Sequence, residues 1–191
     1  LDVPMVVRVN AADSAAWSQD LVALAGLQRL AAVMVPKAES AEALRQAHEA
    51  LSGVAVLPLV ESAAGYDALH HIAAAPGVLR LALGHIDFMA DTGLQCSDDE
   101  RELAPLRFAM AMTTRLHRLA PAIDGVTVAI DDAARLREDT QRALRFGFGA
   151  KLCIHPRQVA GVHEAMAPSA EELDWARRVV AADAASGGAV V

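Results

Sequence analysis

Cysteine is nearly missing from this sequence: two in 191 residues, Cys96 and Cys153, with no CxxC and no metal-type spacing. That excludes a disulfide framework and makes a reducing, cytoplasmic setting the expectation. Cys153, inside the apolar run KLCI, is expected in the core, and Cys96, inside the polar stretch LQCSDDE, at the surface. Basic clusters are missing too. The 17 Lys and Arg residues are scattered against 24 Asp and Glu, for a net charge of -7, which argues against a nucleic-acid groove and for a small-molecule partner. No stretch approaches the roughly 20 consecutive apolar residues of a membrane helix, and no basic segment followed by an apolar one opens the chain. Neither GxGxxG nor a Walker loop follows any apolar run, which weakens a nucleotide-binding reading. Aromatic residues are only 4% of the chain, but hydrophobic residues are 54%, ample for the core of one domain.

Short, β-branched apolar runs alternate throughout with segments of helical periodicity. The strand-like runs are 4–10, 31–37, 54–62, 78–87, 120–128 and 150–156. The helix-like segments are 13–26, one opening at Ser40, one through YDALHHIAA, then 99–118, 131–146, 157–166 and 169–184. Trp17, Leu21 and Leu24 share one helical face, and Leu44, Ala47 and Leu51 another. Strands that are apolar on both faces and separated by helices predict a parallel sheet covered on both sides. Both an open doubly wound sheet and a (β/α)₈ barrel satisfy that pattern. Polar residues at nearly every strand's carboxyl end, and six units in about 190 residues where eight take roughly 250, favour the barrel. The expectation is a single domain over residues 1–191, a TIM (β/α)₈ barrel lacking about two N-terminal units. The start at Leu1 rather than Met, entering a strand at once, and the ending AASGGAVV, where another apolar run begins, are read as interior points of a longer protein.

The polar residues at the strand ends, in order, are Arg8 and Asn10, Lys37 and Glu39, Glu61 and Ser62, Asp87, Asp124, and His155. Neighbouring strands lie about 4.8 Å apart, so Glu61 and Asp87 can converge on one cation. Two carboxylates completed by waters and substrate oxygens are a usual Mg²⁺ arrangement. The alternative is that each acid caps the helix that follows it. Arg8 suits bidentate capture of a substrate carboxylate, or an ion pair with Glu39 or Glu61. Lys37 could form a Schiff base, contact a phosphate or carboxylate, or pair with Glu39. His155, before Pro156, reads as a base or as a hydrogen-bonded structural residue, and His85 as a neighbour of the site. His48, His70, His71, His117 and His163 fall on helix-like segments and are expected in solvent.

The ordered motifs VVRVN, MVPKAES, PLVESAAG, LALGHIDFMADTG, AIDGV and FGFGAKLCIHPRQV together resemble the HpcH/HpaI aldolase/citrate lyase family, in its citrate lyase β-subunit-like branch. The resemblance spans nearly the whole chain. It implies a TIM barrel of the phosphoenolpyruvate/pyruvate type, here without the family's first strands and C-terminal segment. It also implies Mg²⁺ dependence and a homo-oligomer, a trimer being favoured. Carried over by position, Glu61 and Asp87 match the metal ligands and Arg8 the carboxylate-binding arginine, giving Arg8, Glu61 and Asp87 as the catalytic set. Arg8, Lys37 and Ser62 form the expected substrate-binding set. Ile86 stands where many relatives carry the first acid of a Glu-Asp pair. The implied reaction is lysis or formation of a carbon–carbon bond in a 3-hydroxy-acyl thioester, citryl-, malyl- or citramalyl-CoA or an acyl-carrier thioester, giving an acyl thioester and a 2-oxo acid such as oxaloacetate. No residue stands out as the base for the hydroxyl proton. Two other readings stay open: a class II aldolase acting on 2-oxo-3-deoxy sugar acids, and a non-catalytic binding protein on a degenerate barrel.

Overall fold

The computed structural model describes residues 3–186; the last apolar run, 187–191, lies outside them. Six strands form one sheet: β1 (Met5–Arg8), β2 (Leu30–Val35), β3 (Ala55–Val60), β4 (Ala82–Leu83), β5 (Ile123–Asp124) and β6 (Ala150–Lys151). Their spatial order is their order in sequence, and every neighbouring pair is parallel. An open doubly wound sheet reverses its order at a switch point. This one never does, so each crossover goes the same way round and the sheet curls. The nine helices described are α1 (Trp17–Leu24), α2 (Ala41–Ala50), α3 (Ala63–Asp67), α4 (Leu69–Ala73), α5 (His85–Thr92), α6 (Ala104–Leu116), α7 (Ala133–Arg145), α8 (Arg157–Met166) and α9 (Ala170–Ser186).

The core records the curl. A large cluster joins one face of the strands (Val33, Val35, Val56, Val60, Leu81, Leu83) to helix residues such as Leu44, Ile72, Leu106 and Met110. A smaller one, Ala32, Met34, Leu57, Leu59, Ala82 and Ile123, contains only residues of the opposite strand face. Register makes these two faces continuous: Met34 sits beside Leu57, Leu59 beside Ala82, and Ala82 beside Ile123. The small cluster is therefore the concave interior, and the helices cover the convex side. Among the described residues β1 and β6 each pair with a single strand, so six strands form a half-barrel rather than a closed ring.

Several elements are shorter than their apolar runs. The runs 78–87, 120–128 and 150–156 contain strands of only two residues each. Backbone hydrogen bonds nevertheless continue around them, from Leu79 N–H to Val56 O (3.0 Å) and from Leu152 N–H to Asp124 O (2.9 Å). The curl spreads the ladder into isolated bonds. The helix expected through YDALHHIAA is two short helices, α3 and α4, that meet at Ala68. The one expected over 99–118 starts as a 3₁₀ turn, Arg101–Leu103, before α6 with Pro105 in its first turn. Ser40 caps α2 as the sequence suggests, its Oγ accepting from Ala43 N–H at 3.4 Å. Both cysteines are half-buried, Cys96 against the large core cluster. Met89, near it in sequence, packs on the same cluster.

Candidate active site

Five of the strand-end residues meet at the carboxyl edge of the sheet. A cavity of about 400 Å³ is lined by Arg8, Asn10, Lys37, Glu61 and Asp87, with Val9, Ala11 and Pro36. A narrower recess of about 100 Å³ runs inward from Arg8, Glu61 and Asp87 to Leu59, Gly84 and Leu152.

Glu61 follows the last residue of β3 and is only 5% exposed. Its Oε1 accepts from the Lys37 N–H at 2.8 Å. Lys37 holds that amide in place from a left-handed backbone, φ +46°. Oε2 is buried and has no hydrogen-bond partner. Burial pushes the Glu61 carboxyl above the ordinary carboxylate range; the Lys37 amide and the Arg8 charge oppose this, and the nearby Asp87 charge adds to it. Gly84 permits the packing: a Cβ there would stand 2.6 Å from Glu61 Cβ and 2.7 Å from its Oε2.

Asp87 was expected at the end of a strand. It lies instead in the first turn of α5, exposed, with Gly84 at the N-cap and no side-chain cap bond. Nor does Glu61 cap α3. Ser62 does, accepting from Gly65 N–H (3.1 Å) while donating to Glu39 Oε1 (2.6 Å), and Asp91 of α5 accepts from Ala63 N–H (2.8 Å). The Ser62 hydroxyl is thus committed to the fold. With Glu39 held by Ser62, the Lys37–Glu39 pair foreseen from sequence is not formed. Arg8, on the concave face opposite Met34, is exposed and makes no hydrogen bond or ion pair among the described residues, although its charge acts on Glu61.

Two other strand-end residues point elsewhere. Asp124 is fully buried on the convex side, 3.0 Å from Arg107 Nε of α6. It belongs to a network that sequence reasoning missed. Glu100 Oε2 accepts from Arg107 (2.6 Å) and Arg142 (2.8 Å), Asp139 faces Arg135 and Arg142 (3.0 Å each), and Lys151 donates to Gly125 O (2.7 Å). Only the Arg135–Asp139–Arg142 spacing on α7 signalled any of it. His155 Nδ1 accepts from Arg157 N–H (3.2 Å) and supports the start of α8. Of the histidines expected in solvent, His48 is half-buried and donates from Nδ1 to Val54 O (3.0 Å), while His70 and His117 face one another at 3.5 Å. His85 is 2% exposed and its ring, packed on Gly125, borders the recess.

The residues fit a magnesium ion. Glu61 Oε2 is a buried carboxylate oxygen without a partner, a second carboxylate stands beside it, and both are hard oxygen donors. Among the described residues no group of three or more His, Cys, Asp or Glu could hold a metal, so any ion here would be held by these two carboxylates and by groups from outside the protein.

Fold and site together define an α/β protein whose one-way-wound parallel sheet gathers two acids and an arginine at its carboxyl edge. The chain belongs to the HpcH/HpaI aldolase/citrate lyase family, which matches residues 2–156. It is 37% identical to a citrate lyase subunit beta-like protein of Mycobacterium tuberculosis, the match covering 96% of this chain and 67% of that protein. It is 31% identical to an L-malyl-CoA/beta-methylmalyl-CoA lyase of Rhodobacter capsulatus, over 92% of this chain and 64% of that one. The structure of the mycobacterial protein CitE in complex with magnesium, acetoacetate and coenzyme A superposes with a TM-score of 0.78 at 36% identity, covering 94% of this chain and 67% of that one. The chain thus spans about two thirds of the length of these relatives.

Proposed function

We propose that this chain carries the metal and 2-oxo acid half of a carbon–carbon lyase acting on 3-hydroxy-acyl thioesters such as citryl-, malyl- or citramalyl-CoA. The observation that carries the reading is the meeting of Arg8, Glu61 and Asp87 in one cavity, with a Glu61 oxygen buried and unpartnered. The similarity to a malyl-CoA lyase and to a protein seen with magnesium and coenzyme A supports it.

In cleavage the substrate hydroxyl loses its proton and its carbon becomes the 2-oxo carbonyl. The bond to the carbon beside the thioester breaks, and its electron pair becomes an enolate that takes up a proton to give the acyl thioester. Glu61 and Asp87 would hold Mg²⁺, which as a Lewis acid stabilises charge on the oxygens of the 2-oxo acid half. Arg8 presents two parallel donors to the carboxylate of that half and fixes its orientation. Lys37 is a second cation on the same cavity, and its amide engages Glu61 Oε1, leaving Oε2 without a hydrogen-bond partner. Ser62 supports this set from beneath by starting α3 and holding Glu39. The six strands are read as part of a closed (β/α)₈ barrel, in a homo-oligomer, and two free cysteines suit a reducing compartment.

The test measures thioester loss and 2-oxo acid release from citryl-, malyl- and citramalyl-CoA, with Mg²⁺ and with chelator. Mg²⁺-dependent cleavage of one of them is expected. Turnover of a 2-oxo-3-deoxy sugar acid with none of the thioesters cleaved would assign the chain to the aldolases instead. Arg8→Ala should weaken 2-oxo acid binding about 10- to 100-fold, the cost of a lost charge-assisted pair. Arg8→Lys, keeping the charge but not the fork, should fall between. Equal binding by all three would make Arg8 structural.

A further inference from the structure

We propose that His85 is a positioning residue for the Asp87 carboxylate, acting as a flat wedge between the first turn of α5 and the end of β5. The inference rests on the metal reading of Glu61 and Asp87 given above. His85 is the first residue of α5, and Asp87 stands two residues further along the same turn. No side chain caps that turn, whose N-cap is Gly84, and its two buried side chains are Phe88, which packs into the large core cluster, and His85, which lies on the site side. The His85 ring is 2% exposed and lies against Gly125, where any Cβ would collide with Nδ1.

The ring is held by shape rather than by hydrogen bonds. Nδ1 has no partner, and Nε2 faces Glu100 Oε1 at 3.8 Å, too long for a hydrogen bond. Glu100 itself is fixed from behind by Arg107 and Arg142. Two glycines thus make the arrangement possible in sequence: Gly84 admits Glu61 on one side, and Gly125 admits His85 on the other.

The ring is also a partition. On one side lies the recess with Arg8, Glu61 and Asp87. On the other is a cavity of about 660 Å³ lined by Met89, Cys96, Glu100, Thr127 and Arg135 among others. His85, Ile86 and Val126 border both spaces. Without the imidazole the two would join, and the first turn of α5 would lose the surface that sets the height of Asp87 beside Glu61.

The experiment is Mg²⁺ titration by calorimetry on the full chain, with circular dichroism to establish folding. His85→Ala should bind Mg²⁺ at least tenfold more weakly than wild type. Adding free imidazole, which can enter through the larger cavity, should return the affinity to within about threefold, while wild type does not respond to it. Gly125→Ala should produce a similar loss by displacing the ring, and the double variant should be no worse than either single one, because both act on the same contact. A folded His85→Ala whose Mg²⁺ affinity stays within threefold of wild type, or fails to recover with imidazole, overturns the proposal. Should that variant not fold, His85→Gln keeps most of the volume but not the flat ring, and unchanged affinity in it overturns the proposal equally. Absence of Mg²⁺ binding by wild type would instead overturn the metal reading itself.

Discussion

Replacing Glu61 by Gln should stabilise the metal-free protein while abolishing its response to magnesium. Gln can keep the Lys37 amide bond through its carbonyl oxygen, since that bond uses Oε1 at 2.8 Å. Its NH₂ then takes the place of Oε2, the buried oxygen without a partner beside Asp87. Two unit charges at close range repel by about 3–4 kcal/mol at an effective dielectric of about 20, and the exposure of Asp87 screens much of that. A donor to a carboxylate adds about 1.5–3 kcal/mol in a buried setting and less at this half-open edge. A net gain of about 1–2 kcal/mol follows, or a Tm rise of about 2–8 °C for a chain of this size. The pH dependence has a definite sign. Burial raises the carboxyl of folded Glu61 above its ordinary value of 4.5, so the folded state holds this proton more tightly than the unfolded chain. The stability it contributes is complete below the ordinary value and is lost as pH rises through it toward the folded value. Wild type and variant should therefore melt together near pH 4 and separate above it, the variant higher. Magnesium at about 100 times its Kd would add about 2.7 kcal/mol to wild type and nothing to the variant, narrowing or reversing the order. Thermal melts in chelator and in magnesium, from pH 4 to 8, test all of this. A variant that melts below wild type in chelator throughout, or that gains the same magnesium shift, refutes the reasoning.

Gly84→Ala would put a methyl 2.6 Å from Glu61 Cβ and should reduce Mg²⁺ affinity at least tenfold, as read by calorimetry; unchanged affinity would mean that Glu61 is not the ligand. Arg107→Met strips Asp124 and Glu100 of a buried partner and should cost about 3–5 kcal/mol in urea unfolding, whereas a loss under about 1 kcal/mol would mean that these groups do not act as a unit. Ser62→Ala removes the α3 cap and the bond to Glu39, costing about 1 kcal/mol in the same assay with little change in 2-oxo acid affinity. Lost affinity at unchanged stability would give that hydroxyl a direct substrate contact.

The alternation of elements was readable because parallel strands covered on both faces are unbroken apolar runs, and the helices between them carry a clear 3.6-residue period. The same property hid the ends of the strands. In VLRLALGHIDF the strand stops at Leu83, yet His85 and Phe88 of the following helix are buried as well, so apolar character continues across the boundary and Asp87 reads as a strand residue. The direction of Asp124 was hidden for a related reason. A run buried on both sides has no alternation from which to read parity, and Ile123 and Gly125 on either side do not reveal which face the acid takes. Its partners, Arg107 and Glu100, lie on other elements and could be found only from the fold. The clustering of Arg8, Lys37, Glu61 and Asp87 needed less. In a one-way parallel sheet every strand's carboxyl end lies on the same edge, so order along the chain already places them together.

That edge also explains how two carboxylates can stand side by side on a folded chain. One comes from the end of β3, and the other from the opening turn of the helix after β4, about one turn beyond the strand. A helix that follows a parallel strand begins where the strand's carboxyl end leaves off, so its positive end lies at the same edge. Asp87 sits on that end, where unsatisfied backbone N–H groups offset part of its charge. Glu61 has no helix end of its own to serve, because Ser62 already caps α3, and its one fixed bond is to the Lys37 amide. The two acids therefore differ in kind: Asp87 is exposed and eased by a dipole, while Glu61 is buried, raised above its ordinary range and left with a bare oxygen. Of the pair, Glu61 gains more when a cation enters, and substitutions at Glu61 should change metal affinity more than the corresponding ones at Asp87.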